Sequence, residues 1–157
     1  MSWLENRIPP PLVAASFALA MWAVARRFPL VDLSFPGRGV VAGLVLLAAL
    51  TIVAFAIARF VRASTTVDPL HPEAASALVT GGIFRLTRNP MYLGMALVLA
   101  AWSLWLGDGG SAVLVAGFVA YISRFQIAPE ERALRSVFGE DFEAYAKRVR
   151  RWVSFSA

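Results

Sequence analysis

The sequence predicts an all-α integral membrane protein, with about four transmembrane helices and a cytosolic, amphipathic, helical C-terminal segment. Three observations carry this. Of the 157 residues, 59% are hydrophobic and 16% charged, and the mean hydropathy is +0.65; soluble domains run nearer about 45 to 50% and about 25%. The apolar residues fall in long uninterrupted runs separated by Gly, Pro and Arg. The cations also gather on alternate connections between those runs, as they do in chains threaded through a bilayer.

The first run, Leu12 to Arg27, follows Pro9-Pro10-Pro11, a triplet tolerated only at the opening of a helix. The second, Val40 to Val61, carries Arg59 as its one charge and is long enough to cross a hydrocarbon core of about 30 Å. Met91 to Leu106 and Ser111 to Ile127 flank Gly107-Asp108-Gly109-Gly110, a turn that makes them an antiparallel hairpin. Both arms lie near the lower length limit for spanning. Arg7, Arg59, Arg62, Arg85, Arg88 and the seven cations from Arg124 onward share one side, against Arg26, Arg27 and Arg38 on the other. The positive-inside rule therefore puts both termini and the long second connection in the cytoplasm of a multi-pass protein. Gly39 and Gly43 form a Gly-xxx-Gly pair suited to close helix packing, within the chain or with a second copy.

Composition also excludes chemistry. With no cysteine and His71 as the sole histidine, thiolate catalysis, disulfides and Cys/His metal centres fall away, and no metal site is expected. The basic cluster Lys147, Arg148, Arg150 and Arg151, with Trp152 and Phe155, reads as an interfacial segment against anionic headgroups and not as a nucleic-acid surface. Before it, Leu134, Val137, Phe138, Phe142, Tyr145 and Val149 recur at helical spacing, with a break expected at Gly139.

The candidate site follows from the hairpin. Asn89 and Pro90 read as N-cap and first residue of the third span, with Arg88 beside them, and the fourth span runs out into Glu130-Glu131. Arms of matched length bring these two ends to similar depth. Donors and an arginine facing two carboxylates would receive a zwitterion; the plainer alternative is an interfacial salt bridge. His71 is a weak candidate base, as is Arg88 for a catalytic role.

Leu78-Val79-Thr80, Gly82-x-Phe84, Arg88-Asn89-Pro90-Met91-Tyr92-Leu93-Gly94, Glu130-Glu131, Leu134, Phe138-Gly139, Tyr145 and Val149-Arg150 resemble the isoprenylcysteine carboxyl methyltransferase and phospholipid methyltransferase superfamily over roughly residues 62 to 152. The resemblance implies one methyltransferase domain over 1–157, with two N-terminal spans (1–62) and a cofactor-binding loop, hairpin and C-terminal segment (63–157). It implies S-adenosyl-L-methionine as cofactor, with S-adenosyl-L-homocysteine as product. By similarity, Glu130 or Glu131 would hold the cofactor's amino group, and Arg88 with the Asn89, Pro90 and Tyr92 turn its carboxylate or ribose. Gly94 would allow close approach, Thr80, Gly82 and Phe84 would cover the adenine, and Tyr145 would complete the site. Eukaryotic carboxyl methyltransferases have Arg-His-Pro where this chain has Arg88-Asn89-Pro90, and they are longer. The expectation is a short bacterial enzyme of the cytoplasmic membrane acting on a small lipophilic or lipid acceptor: a carboxylate, thiol or amine. The alternative is a non-enzymatic membrane protein serving as assembly partner or transporter subunit.

Overall fold

A computed structural model of the chain describes residues 5, 7–63 and 76–154. His71 and Phe155 lie outside the described residues. Five helices follow in order: α1 (Pro10–Arg27), α2 (Arg38–Arg62), α3 (Pro90–Leu106), α4 (Gly109–Ile122) and α5 (Ala128–Arg148). A 3-10 turn at Gly82–Arg85 precedes α3, and a π-helical turn at Ser123–Ile127 joins α4 to α5. Each apolar run of the sequence forms a helix, in which the backbone satisfies its own donors and acceptors. Among the described residues two helical stretches are long and apolar enough to cross a membrane, α2 and the continuous run Gly109–Arg148.

The first four helices run alternately up and down. Contacts fix their order: α3 lies in the middle, touching α1, α2 and α4, while α1 also packs on α4. Val13, Met21, Tyr92, Leu99, Phe118 and Ile122 form the resulting core, with Phe17 edge-on to Phe118 at 5.6 Å. By contrast α2 exposes Val40, Leu44, Leu47, Leu50 and Phe55. Such a face is stable against acyl chains and not against water.

Gly94 is where α2 and α3 come closest. A Cβ there would overlap the Cγ2 methyl of Val53 and stand 3.4 Å from the Ala49 carbonyl oxygen, so the close approach allowed by this glycine is that of a helix. Gly94→Ala is expected to cost about 1 to 3 kcal/mol through overpacking, read as a lower thermal midpoint in detergent; unchanged melting would show that the helices can separate freely.

The hairpin turn is built as expected. Gly107 closes α3 in the left-handed conformation, and the Asp108 carboxylate caps α4 by accepting from the Ser111 amide at 2.9 Å. The first connection folds onto it, through Leu33 N–H to the Gly107 carbonyl at 2.8 Å and Gly109 N–H to the Val31 carbonyl at 2.9 Å.

One difference concerns the exit of the fourth helix, which does not stop at Ile127 but continues into α5 through the π turn. Pro129 explains the turn: it has no N–H to donate back to Phe125, and its ring crowds that carbonyl, so the preceding turn widens. The break within α5 does fall at Gly139, whose φ of 50° and ψ of −121° lie outside the helical region. Past it, Phe142, Tyr145 and Val149 are buried with Ala56 and Phe84 in a second cluster. Val137, expected on the same face, is exposed.

Candidate functional site

All four elements of the site meet at the end of the bundle away from the hairpin turn. Arg88 reaches there because the chain before α3 is tied down on both sides. Its own amide donates to the Arg150 carbonyl at 3.1 Å, and the Thr87 hydroxyl and Asn89 side-chain amide both donate to the Arg151 carbonyl, at 3.1 and 2.9 Å. Asn89 thus occupies the N-cap position of α3, but its side chain makes no cap; the competing carbonyl of residue 151 takes it instead. Pro90 is buried in the first turn. The first amides of α3 beyond it have no earlier turn to bond to.

Glu131 is almost wholly buried and is surrounded by cations. It accepts from Arg151 Nε at 2.9 Å and Nη2 at 2.7 Å and from Arg88 Nη2 at 2.9 Å, with Arg135 Nη2 at 3.9 Å. Phe142 lies among these guanidiniums, its ring centroid 5.8 Å from Arg88 Cζ and 5.4 Å from Arg135 Cζ, a favourable cation–π arrangement. Arg135 is itself paired with Glu143 at 2.6 Å, so Arg88, Arg135 and Arg151 face Glu131 and Glu143 with a small surplus of positive charge. Burial pulls the Arg88 pKa down while Glu131 pushes it back up, and the bond to Glu131 raises that of Arg151. Two Arg88 donors, Nε and Nη1, are buried without a partner among the described residues. A pair of unmet guanidinium donors in a cationic pocket suits a carboxylate or phosphate oxygen.

Glu130 points elsewhere. It sits in the first turn of α5, beyond the apolar run that ends at Ile127, and accepts from the Tyr92 hydroxyl. Burial pushes its carboxyl up to about 8, with the Tyr92 bond pulling the other way. The two glutamates thus divide the work: Glu131 is engaged by arginines, whereas Glu130 is engaged by the Tyr92 hydroxyl.

The expected plain salt bridge is therefore present, between Arg88 and Glu131. Three other expected site residues are engaged in packing. Gly94 faces α2 as described, the Phe84 ring meets Phe60 edge-on at 5.2 Å, and Tyr145 donates its hydroxyl to the Phe84 carbonyl at 2.6 Å. Thr80 is half-buried and Gly82 exposed, on the turn leading into the 3-10 segment. Gly82 has a φ of 64°, and the Arg59 guanidinium crosses beside it to donate to the Gly81 carbonyl at 3.2 Å.

Sequence reasoning missed Arg151, Arg135, Phe142 and Thr87. Arg151 was assigned with its neighbours to lipid headgroups, but it turns inward to Glu131. Trp152, expected as an interfacial anchor, packs against the core and donates Nε1 to the Ser123 hydroxyl at 3.1 Å. The signal was there in principle: a buried glutamate pair needs more than one counter-charge.

This fold and site define a membrane-integral helical protein with a buried arginine–glutamate cluster at one end. The chain belongs to the phospholipid methyltransferase family, whose model matches residues 38–141. It is similar to an uncharacterized protein of Haemophilus influenzae, 46% identical over 63 residues, which are 40% of this chain and all of that one. It is also similar to a probable protein-S-isoprenylcysteine O-methyltransferase of Oryza sativa subsp. indica, 33% identical over 97 residues, 60% of this chain and 49% of that protein. A third relative is the chloroplastic 15-cis-zeta-carotene isomerase of Arabidopsis thaliana, 36% identical over 68 residues, 43% of this chain and 18% of the isomerase. The chain thus spans about half the length of the rice methyltransferase. No solved structure matches it.

Proposed function

We propose that the protein is an S-adenosylmethionine-dependent methyltransferase with a lipophilic acceptor, built as one domain whose first four helices cross the bilayer with both termini in the cytoplasm. The observation that carries this reading is the pair of buried Arg88 donors without a partner among the described residues, with the Glu130–Tyr92 pair on the first turns of α5 and α3 at the same end of the bundle. Together they offer donors to a carboxylate and an acceptor to an ammonium, the two charged groups of a methionyl end. Asn89 and Pro90 shape the rim, and Thr80 and Gly82, the latter beside the Arg59 guanidinium, would cover an adenine. Topology follows from charge, since the site end carries Arg59, Arg62, Arg85, Arg88 and the C-terminal cations.

The bound cofactor supplies an electrophilic methyl group on a sulfonium. Methyl transfer needs in-line alignment and exclusion of water above all, and this chain's own groups supply both. Arg88 and Glu130 orient the two ends, and Phe142 and Tyr92 wall the pocket with aromatic faces. A lipophilic acceptor fits a site at the bilayer edge, and the O-methyltransferase naming of the rice relative supports a carboxylate among the candidates. A neutral thiol or amine acceptor would also have to lose a proton.

Calorimetric titration of the detergent-solubilised full chain with S-adenosylhomocysteine tests the reading. Saturable binding that Arg88→Met abolishes is expected. Absence of binding would remove methyl transfer and leave the non-enzymatic reading, or the isomerase chemistry named for the Arabidopsis relative, to explain the pocket.

A further inference from the structure

We propose that the bundle holds a phospholipid at its other end, with one acyl chain in a groove between α1, α2 and α3 and the phosphate on Arg38. The site is separate from the Glu131 cluster and does not depend on methyl transfer. The groove has a volume of about 410 Å3. Gly39, Ala42 and Gly43 of α2 form one wall, Trp102 and Trp105 of α3 the other, and Ala18 of α1 closes the side. These residues lie toward the hairpin-turn end, because Gly39 opens α2 and Trp105 ends α3.

The helix itself indicates the occupant. Beside the groove α2 exposes Val40, Leu44 and Leu47, so the medium around it is hydrocarbon. An apolar cleft of this kind has no polar group to hold water, and an unfilled one forfeits dispersion contacts along both walls. A groove of about 410 Å3 holds an acyl chain and not a helix, and the Trp102 indole N–H is already committed to the Ala18 carbonyl at 3.1 Å.

The headgroup preference comes from Arg38, which directly precedes Gly39 and sits one helical turn above Ala42. Its Nη1 donates to the Ser34 hydroxyl at 2.7 Å, and among the described residues no carboxylate lies within ion-pair distance of it. Asp32 on the same connection accepts from the Ser34 amide at 2.8 Å and feels the Arg38 charge from beyond ion-pair distance, which leaves guanidinium donors unspent. Trp105, 60% exposed, stands at the same rim, where an indole favours the headgroup boundary. A guanidinium with spare donors above an apolar slot is complementary to an anionic lipid.

Native mass spectrometry of the full chain in mild detergent, mixed with phosphatidylglycerol or phosphatidylcholine, tests this. One phosphatidylglycerol retained per chain, in preference to phosphatidylcholine, is expected. Gly43→Leu should lower retention of both lipids, since a Cβ at Gly43 meets nothing within 4 Å and the side chain would grow into the groove. Arg38→Gln should weaken phosphatidylglycerol retention about tenfold, the scale of one hydrogen bond to a charged group; this variant gives an independent reading if Gly43→Leu does not fold. Equal retention of the two lipids by the wild type, unchanged retention by folded Gly43→Leu, or a dimer of chains in place of bound lipid would overturn the proposal.

Discussion

Glu131→Ala is expected to lower stability by about 3 kcal/mol and to abolish S-adenosylhomocysteine binding, measured by thermal melting and calorimetry in the same detergent. The magnitude follows from what remains behind. Glu131 is the carboxylate that Arg88 and Arg151 share, with side-chain exposures of 5, 11 and 44% respectively. Removing it leaves the Arg88 guanidinium buried without a counter-charge, a situation that costs about 3 to 5 kcal/mol where breaking such pairs has been measured. The low end applies because Arg151 is partly solvated and can rehydrate. A double replacement separates architecture from function. Arg88→Met with Glu131→Leu puts apolar groups of similar size into the same space and should recover much of the stability, as well-packed substitutes for buried pairs do. It should not recover binding. If the double variant binds as the wild type does, Arg88 and Glu131 serve only as a structural salt bridge and the proposed anion pocket is wrong.

The same residues show how much of this molecule could be read before its structure. Hydrophobic runs located the first four helices, because the length of an apolar segment is a one-dimensional property, and helical spacing located α5. Hairpin geometry then brought Arg88 and the glutamate pair together, because a tight turn between matched arms leaves no other arrangement; Gly107 and Asp108 build that turn as their chemistry suggests. The partner of each glutamate was another matter. Which carboxylate meets arginine depends on one turn of helix phase, and the π turn before Pro129 resets that phase. The C-terminal stretch misled for a related reason. A run of Lys and Arg beside Trp has the composition of a headgroup anchor, but the backbone of residues 150 and 151 pairs with Arg88, Thr87 and Asn89, and that folds Arg151 and Trp152 inward. Backbone pairing across more than sixty residues leaves no local trace in sequence.

Binding of S-adenosylhomocysteine is expected to strengthen as pH rises from 6 to 8 and then level off, with Glu130 as the titrating group. In the free protein burial pushes its carboxyl up to about 8, so near pH 6 it is protonated and offers no charge to an ammonium. Each unit below that value should weaken affinity by close to tenfold, so about a hundredfold separates the two ends of the range. Stability has the opposite sign. Because the native pKa lies above the ordinary value of 4.5, the folded state holds a proton that the unfolded chain has released. This contribution is fully present below pH 4.5, is lost as pH rises toward 8, and changes no further above it. Ligand and fold therefore pull this proton in opposite directions, and the ammonium supplies the compensation that makes an ionised Glu130 tolerable. Two variants assign the effect. Glu130→Gln should flatten the pH dependence of binding and leave the affinity uniformly low. Tyr92→Phe removes a bond that pulls the carboxyl down, and should shift the midpoint to higher pH while keeping the slope. An unchanged profile in Glu130→Gln would show that the ammonium is held elsewhere, and Tyr92 would then have no reason to move the curve.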